Sequence, residues 1–179
     1  LYATTVIIVS AHFTAYTYIE PFMIQIGHMD PNLATMILLV FGISGVTASV
    51  IFNRLYRLGA AQFIIHAILL LALSLGFMLT SAGYTATMFA LAFIWGIGIS
   101  CIGLALQMRV LQLAPDATDV ATAIFSGIFN AGIGAGALFG NQIMRHVGLE
   151  YIGFSGAALA IIALGIFVLF NLRYRNQNI

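Results

Sequence analysis

Charge is what this chain has least of. Its 179 residues include six arginines, five acids and no lysine, so only 6% are charged. A soluble domain carries roughly 25% charged residues, which excludes an ordinary water-soluble enzyme. No basic patch is large enough for a nucleic-acid partner. The single cysteine, Cys101, sits in an apolar run and excludes a disulfide framework or a cysteine zinc site. Also missing are a paired-histidine metal motif, a serine nucleophile elbow, a phosphate loop, an arginine-rich voltage sensor and a potassium-filter sequence. No enzyme, cofactor or metal is therefore expected. What the chain does have is apolar mass: 62% of residues are hydrophobic and mean hydropathy is +1.09. That excludes disorder, which needs the opposite composition. The expected class is an all-α integral membrane protein, with the lipid bilayer as its first partner.

Charge-free stretches set the spans. Residues 31–53, 58–108, 120–144 and 151–172 carry no charge. A spanning helix takes about 20 apolar residues, so 58–108 must hold two, parted at Thr80, Ser81, Ala82 and Gly83. The reading is six transmembrane helices over about 2–27, 32–53, 59–80, 84–107, 118–144 and 149–172, in one domain spanning 1–179. Outer-membrane strands would alternate in runs of about 10 residues and do not fit. Asp116, Thr118 and Asp119 after Pro115 are expected to offer N-caps to the fifth helix. Short loops make successive helices antiparallel. Arg54, Arg57, Arg109, Arg173 and Arg175 then share one end and Arg145 takes the other, which puts both termini in the cytoplasm. Leu1 is not an initiator methionine and no basic segment precedes it, so no signal peptide is read and the chain is expected to start in mid-protein.

Polar residues at membrane depth are costly and mark cavities or helix contacts. His12, Tyr16 and Glu20 recur every fourth residue and are expected on one face of the first helix. His12 would lie near the midplane and Glu20 about 12 Å further out. An aromatic ring, an imidazole and a carboxylate suit a polar solute such as a sugar. The competing reading is that His12 bonds a neighbouring helix and Glu20 sits in the outer interface beside Pro21. On the fifth helix, Gly132, Gly136 and Gly140 make a small-residue stripe expected to pack closely against another helix. Asn130, beside Phe129, is counted to about the same depth as His12. Trp95 falls mid-helix rather than in an interfacial belt, and either packing or cavity lining fits it. Gly42, Gly45, Gly96, Gly98 and Gly103 read as packing surfaces, and His66 as locally hydrogen-bonded. Asp116 and Asp119 read as caps or partners of a nearby arginine.

Residues 14–22 (TAYTYIEPF) and 111–143 (LQLAPDATDVATAIFSGIFNAGIGAGALFGNQI) resemble the C-terminal half of the SotB-type bacterial sugar efflux transporters. These belong to the drug:proton antiporter branch of the major facilitator superfamily. The likeness extends over essentially the whole chain. It implies helices 7 to 12 of a twelve-helix carrier, built as two inverted three-helix repeats, with the substrate site between halves at the midplane. It implies that the first, second, fourth and fifth helices line the cavity, which favours His12, Tyr16 and Asn130 over His66. The loop around Asn53 and Arg54 lacks the family's usual glycine and aspartate. What remains implies contacts of Arg54, Asp116 and Asp119 with the absent N-terminal half, as gates.

The resulting expectation is one half of a proton-coupled exporter of small, arabinose-like sugars and thiogalactosides in the bacterial inner membrane, working by alternating access. Its substrate set is His12, Tyr16, Glu20, Trp95, Phe129 and Asn130. Two rivals are a multidrug exporter, suggested by 14 phenylalanines and 7 methionines, and a six-helix scaffold or channel subunit.

Overall fold

The computed structural model describes residues 1–177, with side chains as far as Arg173. Arg175, counted above among the orienting charges, has its side chain outside the described residues. Among the described residues, eight α-helices build six spans: α1 (Tyr2–Tyr16) with α2 (Ile19–Gln25), α3 (Pro31–Leu55), α4 (Ala60–Gly76) with α5 (Met78–Ser81), α6 (Thr85–Leu113), α7 (Thr118–His146) and α8 (Ile152–Gln177). No strand occurs among the described residues. Four stretches, Pro31–Leu58, Thr85–Leu113, Pro115–His146 and Leu149–Arg173, are each long and apolar enough to cross a bilayer. The protein is a multi-pass membrane protein.

The two remaining spans are interrupted, and in the first the cause is local. Pro21 has no N–H to give the carbonyl four residues back, at Thr17. The helix stops at Tyr16, Tyr18 opens to ψ 14°, and α2 starts at Ile19. Tyr18 N–H turns instead to Ala15 O at 3.1 Å, and Thr17 Oγ1 donates to Phe13 O at 2.7 Å. In the other, Phe77 has ψ 0° between α4 and α5, ahead of the turn through Ala82 and Gly83.

Turn chemistry is mixed. Asp30 caps α3 by accepting from Asn32 N–H at 2.8 Å, with Pro31 in the first turn, where its missing N–H costs nothing. The expected side-chain cap on α7 is absent: Ala117 holds the N-cap position, and Asp119 lies inside the first turn, where the helix dipole favours a carboxylate. Gly148 has φ +135° between α7 and α8, and an added Cβ would meet the Glu150 carboxyl at 2.7 Å, so only glycine suits that bend.

The spans pair symmetrically. α1 packs on α7 and α8, α6 packs on α3 and α4, and α4 packs on α8. Exchanging the first three spans for the last three maps this set onto itself, the pattern of two repeated three-helix units. The outer faces of α3 and α7 stay apolar and open, with Val46 70% and Leu138 69% exposed.

Candidate functional site

The glycine stripe of α7 fixes the level of everything near α1. A Cβ added to Gly132 would lie 2.8 Å from Val9 Cβ, one at Gly136 2.6 Å from Ser10 O, and one at Gly140 2.5 Å from Thr14 O. None of these glycines tolerates a side chain. Ser10 Oγ donates to Gly132 O at 3.1 Å and Tyr18 OH to Ala137 O at 2.9 Å, so the seam is polar as well as close. On another face of α1, Gly156 of α8 approaches Ala11 O.

His12 projects from α1 into a cluster of rings. Its imidazole stacks on Tyr16 (centroids 5.0 Å) and on Phe41 of α3 (5.9 Å), and meets Trp95 of α6 edge-on at 5.5 Å. Tyr16 and Phe41 are themselves 4.8 Å apart. Phe41 and Trp95 each stand about ten residues, roughly 15 Å, from the start of their helices at the end away from Arg54, which is close to mid-depth. Trp95 is wholly buried and its Nε1–H donates to His12 Nδ1 at 3.0 Å. An indole only donates, so Nδ1 carries no proton and the imidazole proton is on Nε2. His12 is only 4% exposed. Nε2 makes no hydrogen bond within the chain, yet among the described residues no fully buried side-chain nitrogen or oxygen lacks a partner. Nε2 therefore keeps some accessible surface. The structure bears out the helix contact expected of His12, through Nδ1, and leaves Nε2 without a partner in the chain.

Not all of the candidate set gathers here. Trp95 has no exposed surface, so it supports the cluster from behind and lines nothing itself. Glu20 is exposed in the first turn of α2, beyond the break, so it does not continue the face of His12 and Tyr16. Asn130 is exposed, and its Nδ2 donates to Ser126 O of its own helix at 2.8 Å. The contacts of Gly132 with Val6 and Val9 and of Gly140 with Thr14 and Tyr18 set the α1–α7 register. It places Asn130 about six residues, ~9 Å, nearer the arginine-rich end than His12. The equal depth expected from counting fails because α7 begins about six residues beyond the level of Leu1. Asn130 also lies two residues from Gly132, roughly 200° round the helix, and so faces away from α1. Phe129 is half-buried and packs on Phe125 at 6.0 Å. Arg54, Asp116 and Asp119 are exposed around one end of the bundle.

Phe41 was not among the expected residues. One phenylalanine of fourteen in an apolar helix carries no distinguishing signal. Gly96 and Gly98 do pack, against Ser44 and Leu71, whereas Gly42 and Gly103 face open space within this bundle. His66 Nδ1 lies 2.7 Å from Gln62 O, the local bond expected of it. A groove of about 640 Å³ between α3, α4 and α6 passes His66, Gln62 and Cys101 but none of the candidate residues, and its walls are almost wholly apolar. Among the described residues no three histidine, cysteine or acidic side chains converge to hold a metal.

Comparison with known proteins agrees with this architecture. A family model described as Major Facilitator Superfamily matches residues 1–178. A "Probable sugar efflux transporter" of Haemophilus influenzae (strain PittGG) is 64% identical over 176 residues, covering 98% of this chain and 44% of the relative. Proteins with the same description from Pasteurella multocida and Helicobacter pylori (strain HPAG1) are 58% and 49% identical, over 97% and 92% of this chain and 43% and 42% of theirs. The chain spans less than half the length of these relatives.

Proposed function

The chain belongs to the Major Facilitator Superfamily, and from that premise we propose that it forms one six-helix half of a bacterial exporter of small sugars. The site lies between this half and an N-terminal partner half, and transport proceeds by alternating access driven by protons. The arginine-rich end faces the cytoplasm of an inner-membrane carrier. The observation that carries the reading is the mid-depth ring cluster. Tyr16 and Phe41 offer π faces for the apolar side of a sugar ring, and His12 Nε2–H offers a donor to its oxygens. The cluster's rings would also attract a lipophilic cation, but the Nε2–H donor finds a partner only in an acceptor such as a sugar oxygen. Asn130 and Phe129 stand nearer the arginine-rich end along the same path, and Glu20 nearer the other. Arg54, Asp116 and Asp119 meet the partner half and gate the cytoplasmic side.

Counterflow in proteoliposomes holding the complete carrier tests this. Labelled arabinose and a thiogalactoside are expected to exchange saturably, with net efflux following an imposed pH gradient. Exchange of lipophilic cations without sugars would identify a drug exporter, and unsaturable flux indifferent to the gradient would identify a channel.

A further inference from the structure

Trp95 touches no solvent, yet its one polar atom is committed to a single acceptor, Nδ1 of His12. We propose that Trp95 is a positioning residue for the sugar site: by occupying Nδ1 it keeps the imidazole proton on Nε2 and so fixes that nitrogen as a donor. The inference rests on the sugar reading above and names the residue that sets the polarity of its central contact.

The argument is one of alternatives. A neutral imidazole exists as two tautomers, and they present opposite groups at Nε2: an N–H that donates or a bare nitrogen that accepts. A sugar hydroxyl that accepts from the first must turn and donate to the second, and a ring oxygen, which only accepts, loses its partner. Moving the proton to Nδ1 would set two N–H groups against each other and leave the fully buried indole donor unpaired, which costs a desolvation penalty. Flipping the ring would turn a carbon-bound hydrogen toward the indole, with the same result. Stacking against Tyr16 and Phe41 holds the ring plane, and the Phe13 ring sits edge-on at 4.7 Å. Tautomer and orientation are therefore set from α6, while the ring itself belongs to α1. The donor is fixed only while these two spans stay together, which ties sugar recognition to the docking of the two three-helix units.

The test is Trp95→Phe in the complete carrier, which keeps an aromatic ring and removes the N–H. Histidine-selective 15N NMR, with His12 assigned by its loss in His12→Gln, is expected to show the wild-type proton on Nε2. Sugar binding by Trp95→Phe should weaken roughly three- to tenfold, the scale of one neutral hydrogen bond. In a His12→Ala background the same change should weaken binding no further, because Trp95 acts only through His12. A wild-type proton on Nδ1, an unchanged affinity in Trp95→Phe, or additive losses in the double variant each overturn the proposal. If Trp95→Phe does not fold, the wild-type ring measurement alone decides. A carrier that binds no sugar at all defeats the sugar reading itself, a result distinct from each of these.

Discussion

α1 is held in two opposite ways. Toward α7 the contact is backbone on backbone: Gly132, Gly136 and Gly140 bring carbonyls and Cβ atoms to distances no side chain fits between. Toward α3 and α6 the contact is ring on ring, through His12, Tyr16, Phe41 and Trp95, with one hydrogen bond at its centre. The glycines bring no side-chain torsions with which to adapt, so the seam holds α1 and α7 closely together. The cluster has rotamers, an accessible nitrogen and half-exposed faces on Tyr16 and Phe41, so it can meet a ligand. One helix thus carries a rigid face and a responsive one. The proposed function falls on the face that packing does not exhaust.

Substitutions can separate the two faces. The largest effect is expected at the seam. Gly136→Leu drives a branched side chain into Ser10 and Phe13 and should destabilise the bundle by about 3 kcal/mol. The readout is thermal unfolding of residues 1–179 in detergent. An unchanged midpoint would show that the seam is looser than described. Ser10→Ala removes one interhelical hydrogen bond and should cost about 1 kcal/mol in the same assay. Asn130→Ala gives up only an exposed bond to its own helix, so the bundle should change by less than about 0.5 kcal/mol. A loss as large as that of Gly136→Leu would place Asn130 in the packing after all.

The seam was legible in the sequence and the cluster only partly so, for physical reasons. Three glycines at a spacing of four have one common consequence, close approach along one helix face, whatever the partner. His12 and Tyr16 stood out because polar groups are rare at that depth. Their partners did not, since Phe41 is chemically indistinguishable from its apolar neighbours and Trp95 fits either role. The break that removes Glu20 from their face was encoded by Pro21, whose effect falls one turn earlier, at Thr17. Depth was misjudged at Asn130 because counting from a helix start assumes that all helices start level. Only the register between α1 and α7 corrects that. The α7 cap failed because four residues with turn chemistry do not say which one takes the N-cap position, and Ala117 does.

The reading as half a carrier also sets what the chain does by itself. Each helix satisfies its backbone hydrogen bonds internally, so the six-span bundle should fold alone in detergent or lipid. Alternating access needs a second bundle to rock against, so liposomes with only residues 1–179 should show no saturable sugar uptake.

The most direct test of the central claim is a sugar-binding titration of the complete carrier with His12→Ala. Removing the imidazole takes away the Nε2 donor and leaves the bound sugar oxygen without a partner, so affinity should fall by about 1–3 kcal/mol while the protein stays folded. A folded His12→Ala carrier that binds sugar as tightly as its parent would contradict the account.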